Sequence, residues 1–86
     1  MSKIDKRKER LKNKPKDYTY DEAKALLECL GFQEVTKGKT SGSRVMFYRE
    51  RDSSSILLHK PHPDKTMKSY AVDELCDHLR EIGEIT

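Results

Sequence analysis

Two segments of this chain carry apolar residues at helical spacing, while the apolar residues between them come in short runs broken by turns. Ala23, Leu26, Leu27 and Leu30 follow at i, i+3, i+4 and i+7, which makes one stripe of a helix. Thr19 and Glu22 ahead of that stripe have capping-box spacing. Gly31 supplies a left-handed stop, and Phe32 follows as the hydrophobic contact typical of it. The spacing predicts a helix over Tyr20–Leu30. Val72, Leu75, Cys76, Leu79 and Ile82 form the second stripe. It predicts a helix starting near Ser69–Ala71, with Asp73 and Glu74 suited to its positive end and Gly83 closing it.

Between the helices, Phe32–Thr36 reads as a short strand and Arg44–Arg49 as a half-buried alternating one. Ile56–His59 reads as a third strand, apolar on both faces, so its facing stays open. Lys37–Ser43 is a polar connection, Arg51–Ser55 a turn, and Lys60–Met67 a stiff extended loop because of Pro61 and Pro63. The order α-β-β-β-α implies an α+β fold. Two helices on one face of a three-stranded antiparallel sheet would bury both stripes and leave the other face open. Residues 1–16 form a basic leader, flexible or a short helix. Its Ile4 and Leu11 share a helical face but have almost nothing to bury, and Pro15 separates the leader from the folded part over residues 17–86.

Composition bounds this reading. In 86 residues, 34% are hydrophobic and 38% charged, enough for one small domain with a modest core. No apolar stretch approaches the roughly 20 residues of a membrane span, and the chain starts charged rather than apolar. A soluble, cytoplasmic protein is expected. Cys29 and Cys76 lie far apart without a C-x-x-C pair, and there are three histidines. Neither a disulfide scaffold nor a structural zinc site is expected, and no cofactor. Both cysteines are read as lying on the apolar stripes, hence as buried, inert thiols.

Charge is segregated along the chain. Residues 1–16 hold eight Lys/Arg against two acids, a net +6. Residues 17–36 carry −4, residues 37–68 carry +5 and residues 69–86 carry −4. A basic middle gathered on one surface would be an electrostatic footprint for a polyanion.

Within that middle, His59, Lys60 and His62 fall in a run whose backbone is restrained by Pro61 and Pro63. An imidazole ordinarily titrates at about 6.5, so it can give or take a proton near neutrality. Cleaving an RNA phosphodiester needs a base for the 2′-hydroxyl, an acid for the leaving oxygen and a cation for the phosphoryl charge. These three residues contain all three kinds of group. Taken alone, they more readily fit the capping of a strand and packing against proline. Gly38, Ser41, Gly42 and Ser43, flanked by Lys37, Lys39 and Arg44, can present backbone N–H groups to a phosphate. They lack the P-loop spacing, so ATP binding is not supported. Tyr48 can stack on a base or cover the core edge. Lys65 and Lys68 add charge downstream. His78, beside Asp77 and off the stripe, reads as an ordinary surface residue.

Leu26-Leu27-Glu28-Cys29-Leu30-Gly31-Phe32, then Gly42-Ser43-Arg44-Val45-Met46-Phe47, then His62 followed by Lys65-Thr66-Met67-Lys68, resemble the HicA toxins of bacterial type II toxin–antitoxin pairs. The resemblance covers about residues 17–86. It implies a double-stranded-RNA-binding-domain-like fold, metal-independent mRNA interferase (endoribonuclease) activity, and silencing by a HicB-like antitoxin protein. The family pattern is Gly-Ser-His-x-x-aromatic with a catalytic histidine, and here Arg44 stands in the histidine position. A guanidinium stays protonated and cannot replace an imidazole base. Three readings follow: His59 and His62 carry the proton chemistry, the chain binds RNA as a noncatalytic module, or it is a degenerate toxin. Lys37, Lys39, Ser43, Arg44, Tyr48, Lys60, Lys65 and Lys68 are the expected RNA contacts.

Overall fold

The computed structural model describes residues 2–35, 44–59 and 65–85. It contains helices α1 (Lys3–Lys12), α2 (Tyr20–Cys29) and α3 (Ser69–Glu81), and strands β1 (Gln33–Val35), β2 (Arg44–Arg49) and β3 (Ser54–His59). The strands form one antiparallel sheet in the order β1-β2-β3. The α-β-β-β-α order is therefore present, preceded by an additional helix.

Helices α2 and α3 end by the same device. After α2, the N–H of Gly31 donates to the Glu28 carbonyl at 3.1 Å and that of Phe32 to the Leu27 carbonyl at 2.9 Å. After α3, Gly83 donates to Arg80 at 3.1 Å and Glu84 to Leu79 at 2.9 Å. These are Schellman closures, and they require the left-handed backbone that Gly31 (φ 98°) and Gly83 (φ 83°) adopt. At the start of α2, the Thr19 hydroxyl accepts from the Glu22 N–H at 3.2 Å, as the capping-box spacing leads one to expect.

The two stripes meet the sheet in one core. Ala23, Leu26, Leu27 and Leu30 pack with Val72, Leu75, Cys76 and Leu79, and with Phe47, Ile56 and Leu58 from the strands. The open question of how β3 faces is thereby answered: Ile56 and Leu58 point to the helices, and Leu57 points away. This strand starts two residues earlier than the sequence suggests. A 3-10 turn at Glu50–Asp52 and the left-handed Ser53 (φ 57°) reverse the chain within a few residues.

Three expectations need correction. Cys29 is exposed, and only Cys76 is buried. At about 3.6 residues per turn, position 29 lies on the flank of the Ala23–Leu30 stripe rather than on it. Arg49, counted with the basic middle, is 2% exposed. Its guanidinium donates to Asp52 at 3.0 and 2.5 Å and to the Leu30 carbonyl at 3.1 Å, lies 3.3 Å from Glu84, and sits 4.8 Å from the centre of the Phe32 ring. It thus ties the ends of α2 and α3 to the sheet. Finally, the leader does have something to bury. Leu11 is fully buried in the shared core and Ile4 packs partly against it. Arg10 pairs with Glu22 and with Asp17, and Lys14 reaches Asp73 at 3.3 Å. The leader's positive charge is partly spent on the acidic segments, and the Arg10 hydrogen bond holds the Glu22 carboxyl below its ordinary range.

Candidate nucleic-acid interface

The side of the sheet away from the helices is built from alternate residues of each strand, and the register arranges them in rows. Position 44 pairs with His59. Val35, Met46 and Leu57 form the next row, and Gln33, Tyr48 and Ser55 the one after. Met46 is 45% exposed, Leu57 48% and Tyr48 38%. A hydrophobic row across all three strands therefore faces outward, although a chain of this composition has few apolar side chains to spare. Exposed apolar patches of this kind mark interaction surfaces.

The row at positions 44 and 59 is the chemically informative one. Directly opposed residues of an antiparallel pair hold their Cβ atoms about 4.5–5.5 Å apart, and β2 and β3 are in register there. The exposed His59 is thus set opposite position 44. Tyr48 lies four residues along β2, about 13 Å away at strand rise.

A cavity of about 300 Å³ runs along β3 beside α3, lined by residues that include Met46, His59, Ala71, Glu74 and His78. His78 is half-buried. The sequence reading pairs His59 with His62 because they are neighbours in the chain. The fold brings His59 and His78 to one cavity across nineteen positions of sequence, which adjacency along the chain cannot reveal. Spacing alone hints at it, since Ala71, Glu74 and His78 recur at i, i+3 and i+7 on one flank of α3.

The segment before α3 is held beside the start of α2. The Tyr20 N–H donates to the Lys65 carbonyl at 3.0 Å, the Met67 N–H donates to the Tyr18 carbonyl at 2.8 Å, and Thr19 and Thr66 form an isolated antiparallel bridge. With Met67 buried, Lys65 and Lys68 stay exposed, and Tyr70 in the first turn of α3 is 55% exposed. Tyr70 was not among the expected contacts. Of the expected site residues, Lys37, Lys39, Ser43, Lys60 and His62 lie outside the described residues, as does the side chain of Arg44. Among the described residues, no group of three His, Cys, Asp or Glu is arranged to hold a metal ion, and no helix is long and apolar enough to cross a membrane.

A family model described as the HicA toxin of bacterial toxin–antitoxin systems matches residues 20–83, from the first residue of α2 to the glycine that closes α3. No curated protein and no solved structure matches the chain.

Proposed function

The chain belongs to the HicA family of toxin–antitoxin toxins, and from that premise we propose that it binds messenger RNA and cleaves it as a metal-independent endoribonuclease. The observation that carries this reading is the register that sets His59 opposite position 44. Imidazole chemistry missing from β2 is supplied one strand away on β3. His59 removes the proton from the 2′-hydroxyl, whose oxygen then attacks the adjacent phosphorus. The Arg44 guanidinium, permanently charged, clamps the phosphoryl oxygens. A second imidazole protonates the 5′-oxygen as it leaves. His62 fits that role by sequence, and His78 by its place on the same cavity. Tyr48, with Lys37, Lys39, Ser43, Lys60, Lys65 and Lys68, holds the flanking nucleotides and phosphates. A HicB-like antitoxin is the protein partner, and the cytoplasm, where messenger RNA is translated, is the place of action.

Purified chain incubated with end-labelled RNA and a chelator tests the proposal. Cleavage should persist without metal, depend on pH across the imidazole range, and fall about 10²–10⁴-fold in His59→Ala. The larger loss of His62→Ala or His78→Ala identifies the acid. Full activity in His59→Ala would show the base to be elsewhere. The arginine in the histidine position favours one other reading, a noncatalytic RNA-binding module. Binding without cleavage in the wild type, with cleavage gained in Arg44→His, would establish it.

A further inference from the structure

Helix α1 lies outside residues 20–83, the part that the family match covers, yet it is packed onto the same core through Leu11 and Ile4. Its basic residues divide into two groups. Arg10 and Lys12 are paired with carboxylates. Lys3, Lys6, Arg7 and Lys8 have no ion pair among the described residues. Of these, Arg7 is distinctive because its Nε is buried and has no hydrogen-bond partner. A buried donor without an acceptor is unfavourable in the free protein. Arg7 also lines a cavity of about 100 Å³ together with Lys6, Arg10, Tyr18 and Glu22. The one carboxylate there, Glu22, is already hydrogen-bonded by Arg10, whose guanidinium also lies 5.9 Å from the centre of the Tyr18 ring.

We infer that Lys6 and Arg7 form a phosphate site on α1 that takes a backbone phosphate of single-stranded RNA outside the segment being cut. The inference rests on the RNA-binding reading above. An anionic membrane is the weaker match for the same charges, because surface helices insert an apolar face. Here Leu11 is fully buried and Ile4 partly so, both in the protein core. The site would lengthen the RNA footprint beyond the sheet and let α1 contribute affinity without taking part in cleavage.

The test uses the full chain and a labelled 2′-O-methyl oligonucleotide, which binds but has no free 2′-hydroxyl to attack. Affinity is measured by anisotropy across a salt series for the wild type, Lys6→Gln/Arg7→Gln, and Lys3→Gln/Lys16→Gln, which removes equal charge from residues that do not line the cavity. One or two lost phosphate contacts should make the slope of log K against log salt shallower by about 0.7–1.4 and weaken binding at 0.1 M salt by about 5- to 25-fold. The control pair should lose clearly less. Lys6→Gln alone, at an exposed position, should show part of the effect even if the Arg7 change disturbs folding. Equal losses in the two double variants would reduce α1 to general charge and overturn the site. So would an unchanged slope, or a loss confined to phosphatidylserine vesicles. A wild type that binds no RNA would overturn the functional reading and this one together.

Discussion

Strand β2 presents two faces with one backbone, and they are under different constraints. Toward the helices it places Phe47, fully buried, and Arg49, 2% exposed with each guanidinium nitrogen hydrogen-bonded. Toward the open side it places Met46 and Tyr48, each more than a third exposed and paired in register with Leu57 and Ser55. The inner face is determined by packing: volume, shape and polar satisfaction leave little choice of residue. The outer face is less constrained by packing, and its apolar row, with His59 on the neighbouring β3, is best explained by what the face meets.

The comparison can be broken by substitution. The largest effect on stability should come from Phe47→Ala, which empties the centre of the core and should cost about 3–5 kcal/mol in urea unfolding. A value below about 1 kcal/mol would mean that the inner face is not the constrained one. Arg49→Met comes next and can be read through pH. The Arg49 hydrogen bonds hold the Asp52 carboxyl well below the usual carboxylate range. An unfolded aspartate takes up its proton near pH 3.9. The stabilisation is thus present above about pH 4 and lost as the pH falls below it. Wild type should lose stability between pH 5 and 2 more steeply than Arg49→Met, and parallel acid profiles would mean that this network contributes nothing. The smallest shift should come from Met46→Ser/Leu57→Ser, within about 0.5 kcal/mol of wild type, with weakened RNA binding. A large destabilisation there would show that the outer row is part of the core after all.

Much of the inner face was legible in the sequence because it repeats. The stripe of α2, its Thr19 cap, the Gly31 and Gly83 stops and the limits of β2 all follow from local periodicity and turn chemistry. The burial of Arg49 was not legible. It depends on the Leu30 carbonyl and on Glu84, which lie far from it in sequence, and nothing in the run Tyr48-Arg49-Glu50 marks it. Leu11 was missed for a similar reason: two aliphatic residues in a charged leader carry no sign of the core they join. On the outer face, His59 was legible as a candidate because of its neighbours. Its opposition to position 44 comes from the β2–β3 register, and its sharing of a cavity with His78 comes from the docking of α3. Both are set by long-range pairing.

The Arg49 cluster has a consequence for the lifetime of the fold. It joins a carbonyl nineteen positions earlier to a carboxylate thirty-five positions later. Contacts across such separations close only after the sheet and both helices have come together. Interactions made late on the folding path raise the barrier to opening while leaving the rate of folding nearly untouched. The long-range part of the cluster is therefore expected to act as a latch, setting how long the assembled chain stays closed more than how quickly it assembles.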